Sequence, residues 1–290
     1  MKLRAKFNLV LLAVFVLGLL ATGFVSYTML HRNARDEVIQ NAGIMMEAAL
    51  AVRGYTLREI KPLLELQLRR AFLPQSVSAF AATQTFAALR TKYPDYTYKE
   101  AALNPTNPQH RVTDWEADIV SEFRHHSENT EIIGERDTPT GRMLYLARPI
   151  QIKDEGCLTC HSTPEAAPET MVKIYGTANG FGWKMQEIIG AQIVSVPMTV
   201  PIAKADTAFR TFMGSLIGIF LLLFVVLNLM LHFIIIRPLA HMAQTADTIS
   251  TGDLSMPELT ATGKDEVAVL ARSFNRLRRS LEKALQMIGE

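Results

Sequence analysis

Apolar residues in this chain fall into three kinds of pattern, and each predicts a different kind of element. Residues 7–30 and 212–236 are runs without a formal charge, long enough for a helix to cross a hydrocarbon core that takes about 20 residues. Between them, Val38, Ala42, Met45, Ala49 and Val52 put an apolar face on a helix over 33–53, because residues three and four apart share a helix side. Further helices are expected over 57–70 and 79–92, and strand-like segments over 96–103, 131–136, 142–152 and 188–197. Asp137-Thr138-Pro139-Thr140-Gly141 joins two of these strands with Pro and Gly where a hairpin turn needs them. Helices first and an antiparallel sheet afterwards predict an α+β domain. After the second apolar run, Leu239, Met242, Ala246 and Ile249 form one sticky seam. Gly252-Asp253-Leu254 ends that helix, and an irregular stretch with Pro257 and Gly263 leads to Asp265-Glu266, which opens a second helix. Its seam is Val267, Leu270, Phe274, Leu277, Leu281, Ala284 and Ile288. Two such helices cannot bury their seams alone, whereas pairing with a second chain lets four helices share one core.

These patterns divide the chain into an N-terminus (1–6), a span (7–30), an outer domain (31–211), a second span (212–236) and an inner module (237–290). Lys2, Arg4 and Lys6 precede the first span, so the positive-inside rule places the N-terminus in the cytoplasm, although Arg32 and Arg35 follow the span at once. The outer domain is then expected on the periplasmic side of the cytoplasmic membrane, and residues 237–290 in the cytoplasm. A cleaved signal peptide competes for the first run, with Ala21 and Gly23 suited to the peptidase, but the run outlasts a usual h-region. Asn228 and His232 lie four apart in the second span, placed for an interhelical hydrogen bond. Composition fits two spans, with 49% hydrophobic residues and a net charge of only +2. Charge is balanced within each soluble part, so neither carries the basic footprint of a nucleic-acid binder.

The only two cysteines, Cys157 and Cys160, stand in Cys157-Leu158-Thr159-Cys160-His161. This is the attachment spacing of c-type haem, in which each thiol adds to a vinyl group and the adjacent imidazole binds the iron. The cofactor-binding residues are then Cys157, Cys160 and His161, with His161 the metal ligand and one haem c covalently held. A redox disulfide, half of a zinc site and two neighbouring structural cysteines are the alternatives. Zinc needs two more ligands, and no second Cys pair or His-x3-5-His follows. A thioredoxin-like site opens a helix after a strand, whereas Pro164, Pro168 and the Ser/Thr residues here read as a loop.

The inner module resembles the HAMP domain of transmembrane receptors at Pro238, Gly252-Asp253-Leu254, Asp265-Glu266 and Phe274-Asn275-Arg276-Leu277. That resemblance implies a parallel homodimeric four-helix bundle relaying a conformational change from the membrane. The outer domain, over about 35–200, resembles the family of single-haem, PAS-like extracytoplasmic sensors. The matching residues are Asn104-Pro105-Thr106-Asn107-Pro108, Trp115-Glu116, Pro139-Thr140-Gly141-Arg142, Ala147-Arg148-Pro149-Ile150, the haem motif and Gly180-Phe181-Gly182-Trp183. It implies a PAS-like sheet with haem packed on it. Some relatives place a distal cysteine in the first outer helix; this chain departs from them, because both of its cysteines are used as thioethers.

The ligand opposite His161 is therefore open among His110, His125, His126, Met45, Met46, Met143, Met171, Met185 and a vacant site. Arg111, Arg142 and Arg148 are candidates to pair with haem propionates. The expected function is a haem-based redox sensor, or failing that a gas sensor, that acts as a homodimer in the lipid bilayer. No output domain is expected within the chain, so its signal would pass to a separate cytoplasmic protein such as a kinase or a chemotaxis-type relay. The alternatives are a membrane-anchored c-type cytochrome in electron transfer and a small-molecule receptor whose haem is structural. No nucleophile–base pair or carboxylate pair stands out, so no enzymatic activity is expected.

Overall fold

A computed structural model describes residues 3–253, 255–260 and 263–289. Lys2 and Leu254 lie outside the described residues, as does the side chain of Ile288. The chain divides into two compact units, residues 27–208 and residues 1–26 with 209–290.

The helix of the first span does not stop at the membrane run. It is one element, α1 (Leu3–Tyr55), where the sequence predicts two, because nothing from 30 to 33 breaks a helix. The helix expected over 57–70 is instead broken into a π-helical turn (Thr56–Ile60), α2 (Lys61–Leu63) and α3 (Glu65–Leu68). Pro62 has no N–H for the ladder, and a π-turn absorbs the mismatch. The buried Thr56 adds to the disturbance by turning its hydroxyl back to the Val52 carbonyl at 2.8 Å.

Helix α4 (Ser78–Arg90) then leads to strand β1 (Thr97–Ala102). Helix α5 (Asp114–His125) follows, opened by a capping box between Thr113 and Glu116. The hairpin of β2 (Ile132–Thr138) and β3 (Gly141–Gln151) turns through Pro139-Thr140, with Thr138 paired to Gly141. Short helices α6 (Leu158–His161) and α7 (Glu169–Tyr175) precede β4 (Ile188–Pro197). The four strands form an antiparallel sheet in the order β1-β4-β3-β2, so the last strand in sequence is central.

Each sheet face has its own core. On one, Val38, Ala42, Met46 and Ala49 of α1 and Ala82 and Phe86 of α4 pack on Tyr98, Leu144, Leu146, Val194 and Val196. Met46, rather than Met45, is the fully buried methionine of this seam, and Met45 packs at its margin. On the other face, Ile119, Val120 and Phe123 of α5 pack on Ala101, Ala147, Ala191 and Ile193. Between β1 and β4 the backbones leave no room for a side chain at Gly190, where a Cβ would lie 2.2 Å from the Ala101 carbonyl oxygen.

The second unit contains α8 (Thr199–Met230) from Phe209 onward, a π-helical turn (Leu231–Ile236), α9 (Arg237–Ser250) and α10 (Glu266–Gly289). Among the described residues two helices are long and apolar enough to cross a membrane. In the second of them Asn228 donates to the Phe224 carbonyl of its own helix at 3.0 Å, while its Oδ1 is buried and, among the described residues, has no hydrogen-bond partner. Met242, Leu259 and Ala271 form a small core with Val267 and Phe274. Asn275 pins the connector, accepting from the Leu259 N–H at 3.1 Å and donating to its carbonyl at 2.9 Å. Leu270, Leu277 and Leu281 of the predicted seam stay exposed.

Gly190→Ala should lower the stability of the outer unit by ~2–3 kcal/mol, because β1 and β4 must part to admit the methyl group. Thermal denaturation of the solubilised chain followed by circular dichroism measures it.

Candidate functional site

The motif lies on a 36-residue excursion (152–187) between β3 and β4, its ends pinned where Ile152 donates to Glu187 at 3.0 Å and Gln186 donates to Ile152 at 2.8 Å. Within it, the Asp154 carboxylate accepts from the Gly156 N–H at 2.8 Å and its carbonyl from the Cys157 N–H at 3.1 Å. These bonds start the helical turn that carries Leu158–His161. The turn puts Cys157 and Cys160 on one side, both free and half-buried. Burial pushes both thiols above the ordinary cysteine range; Asp154 adds to the rise at Cys157, and Lys61 opposes it at Cys160.

His161 is held from several directions. Its Nδ1–H donates to the Gly180 carbonyl at 2.8 Å, with the Thr106 hydroxyl at 3.4 Å. The ring stacks on Trp183, centroids 3.9 Å apart and planes 16° from parallel. Burial lowers its pKa, and the bond to Gly180 works against that shift. A neutral ring whose Nδ1 carries the proton leaves the Nε2 lone pair as the donor, with its direction fixed. The site therefore offers an oriented imidazole nitrogen next to two thiols, a donor set that fits a covalently held haem. Among the described residues no group of three or more His, Cys, Asp and Glu is placed to hold a bare metal ion.

The loop that supplies Gly180 is itself clamped by Asn104. Its Oδ1 accepts from the Gly180 N–H and its Nδ2 donates to the Phe181 carbonyl, both at 3.1 Å. Gly180 has φ +84°, and a Cβ there would lie 2.1 Å from the Thr106 hydroxyl. Only glycine meets both demands. Three stretches far apart in sequence, 104–108, 157–161 and 180–183, thus converge. The sequence shows the identity of Asn104 but not its role, because a polar loop residue carries no sign of its partner 76 positions away.

Other candidates are spread more widely. His125 and His126 form an exposed helix end, the first bonded to the Ser121 carbonyl at 2.8 Å and the second beside Glu122 and Glu128. Met46 is consumed by the core, and Met143 sits near the start of β3, at the opposite end of the strand from the excursion. Met171 is buried in α7, and Met185 is partly exposed after Trp183. His110 is half-buried, its Nδ1 has no hydrogen-bond partner among the described residues, and burial lowers its pKa. Arg142 pairs with Glu135 at 2.8 Å, and Arg148 bridges Glu47 and Glu131 at 2.7 and 2.9 Å. Arg111 reaches Asn179 at 2.9 Å, next to the Gly180 loop, so of these three candidates it is the one bonded beside the site.

One ionic link joins α1 to the sheet near this region. Arg53 pairs with the buried Glu100, which accepts from the Tyr98 hydroxyl at 2.8 Å, and Gln192 donates to that hydroxyl at 3.2 Å. Burial first, and then Glu100, hold Tyr98 protonated far above the usual phenol range.

Asn104→Ala should leave the Gly180 amide without its acceptor and raise hydrogen exchange across 177–183 by about tenfold, as expected for loss of one buried hydrogen bond. Exchange mass spectrometry reads this directly.

Comparison with known proteins places the chain in a family. The heme sensor protein HssS of Staphylococcus aureus strain JH9 and that of strain Newman are each 31% identical over 94 residues, covering 32% of this chain and 20% of theirs. The chain therefore spans about a fifth of the length of these curated relatives. The crystal structure of the cyanobacterial heme-protein Tll0287 aligns with a TM-score of 0.44 at 15% identity, covering 56% of this chain and 95% of that one. Residues 230–283 match the HAMP domain. Residues 31–197, more than half of the chain, match the Tll0287-like family model, and the chain belongs to that family.

Proposed function

We propose that this protein is a membrane-anchored haem sensor. In this reading residues 31–211 hold one c-type haem outside the cytoplasm, and residues 237–290 pass the signal to a separate cytoplasmic output protein. The observation that carries it is the fixed His161 ring, whose Nδ1–H is taken by Gly180 at 2.8 Å while two free thiols lie one and four positions before it. The likeness to a heme sensor protein supports the cofactor class. The HAMP match supports a relay over a plain electron carrier, which has no use for one.

Cys157 and Cys160 would hold the haem through thioethers, and His161 would be its proximal ligand. When bound, the group supplies an iron that changes charge with oxidation state and binds small ligands. The chain's own residues do the positioning. Gly180 fixes the tautomer and raises the basicity of the imidazole, Trp183 prevents its rotation, and Asn104 holds Gly180 in place. A change at the site moves the protein only by its different interaction with two conformations. Helix α1 is joined to the sheet by Arg53–Glu100, and α1 meets α8 where His31 lies 3.1 Å from Asp206. A bias in the outer unit would therefore act on both helices that lead from it.

In the second unit Leu270, Leu277 and Leu281 stay exposed among the described residues of one chain. A second copy burying them in a four-helix bundle is the homodimer this reading requires.

Three experiments test it. The purified chain should carry haem that survives denaturation, and Cys157→Ser with Cys160→Ser should abolish it; a haem band persisting in the double variant overturns covalent attachment. Spectra of oxidised and reduced protein with and without carbon monoxide separate redox from gas sensing, since indifference to carbon monoxide removes a vacant site. For the relay, Leu277→Asp should reduce chemical cross-linking between copies by about tenfold or more, because a carboxylate in an apolar seam costs at least ~1.4 kcal/mol.

A further inference from the structure

A cleft of about 420 Å³ opens on the α5 side of the sheet, away from the haem motif, between α5 and the edge strand β2. Its floor is apolar, made by Ile119 and Ile132, and its walls are the rings of Trp115 and Tyr145, 5.5 Å apart and tilted by 56°. Tyr145 lies across Gly134, where a Cβ would stand 2.3 Å from the phenol oxygen. The glycine on the edge strand is what allows the ring to sit there.

The charges around these rings are unevenly satisfied. Glu135 is neutralised twice, by Arg35 and by Arg142, each at 2.8 Å. Asp118, exposed and one turn along α5 from Trp115, makes no hydrogen bond or ion pair among the described residues. Glu122, one turn further, has only His126 at 3.9 Å. The cation in the cleft is Arg136, whose guanidinium sits 4.1 Å from the centroid of the Trp115 ring. Among the described residues it has no carboxylate within ion-pair distance, although carboxylates rim the same cleft. A planar cation therefore already occupies the aromatic face, and the rim carries negative charge that this cation does not neutralise.

We propose that this cleft binds a small organic cation, a guanidinium or quaternary ammonium group. The cation would lie over Trp115 and against Tyr145, with Asp118 and Glu122 as counter-charges. Arg136 fills the place until the ligand displaces it. Ring faces attract such weakly hydrated cations, whereas a hard metal ion requires a cage of oxygen ligands that two aromatic walls do not give. Displacement of Arg136 frees a residue of strand β2, which is paired along its length to β3. The inference is independent of the haem reading and would give the outer domain a second chemical input.

The test is calorimetric titration of the full-length chain in lipid nanodiscs with methylguanidinium chloride and with tetramethylammonium chloride, against sodium chloride at equal ionic strength. Saturable binding by at least one of them is expected, with half-saturation at about 0.1–10 mM, the range open to a small ligand held by few contacts. Arg136→Gln removes the internal competitor and should tighten binding, while Trp115→Leu and Asp118→Asn should weaken it, each by about five- to tenfold. Asp118 is exposed and unpartnered, so its variant tests the site without disturbing the fold. Absence of saturable heat from both the native chain and Arg136→Gln overturns the proposal, as does binding that Asp118→Asn and Trp115→Leu leave unchanged.

Discussion

The placement of β4 between β1 and β3 is the constraint on which the outer unit depends. It is the last strand in sequence yet it is paired on both sides, and every residue from Ile188 to Val196 is buried. Until it docks, neither sheet face is complete, and neither α1 with α4 nor α5 has a surface to pack on. Its docking also closes the excursion that carries the cysteines, because Ile152 and the residues just before β4 exchange backbone bonds. Such non-local pairing incurs its loop-closure entropy before any contact offsets it. The site is thus assembled only when the sheet is.

One consequence appears in the polar groups set into the α1 face. Glu100 lies opposite Gln192 on β4, and Gln192 lies opposite Arg148 on β3, so one rung of the sheet is polar across three strands. Buried charge of this kind adds little net stability and is severe to break. Here Arg53 from α1 answers Glu100, and Glu47 from α1 answers Arg148. The helix that continues toward the membrane run is therefore registered on the sheet by specific pairs as well as by the Val38, Ala42, Met46 and Ala49 seam, whose packing alone would tolerate a shift. The cleft around Trp115 faces the other way, so the two sides of the sheet are free to answer different chemistry.

Much of this architecture is legible in sequence where the signal is local and periodic. The four strands fall within a residue or two of their expected places, and β4 matches at both ends. Signals that were present but weaker mark the misses. Thr113 and Glu116 form the capping box that opens α5, and Pro62 forecasts the break that divides the expected second helix into a π-turn and two short pieces. The exchange of Met45 for Met46 in the core follows from a helix turning slightly more than the assumed face, an adjustment that only the packed sheet imposes.

By itself the sequence determined the two apolar runs, the α+β order of elements, and a Cys-x-x-Cys-His pattern whose chemistry is set by bonds between near neighbours. These are properties of residues within a few positions of each other, and local sterics and periodicity fix them. Only the tertiary structure decided that Asn104 clamps Gly180, that Gly180 in turn fixes the His161 ring, and that Arg136 rests on Trp115 between open carboxylates. Each joins residues tens of positions apart, or in different elements, through hydrogen bonds and ring contacts whose geometry exists only once β4 has closed the sheet.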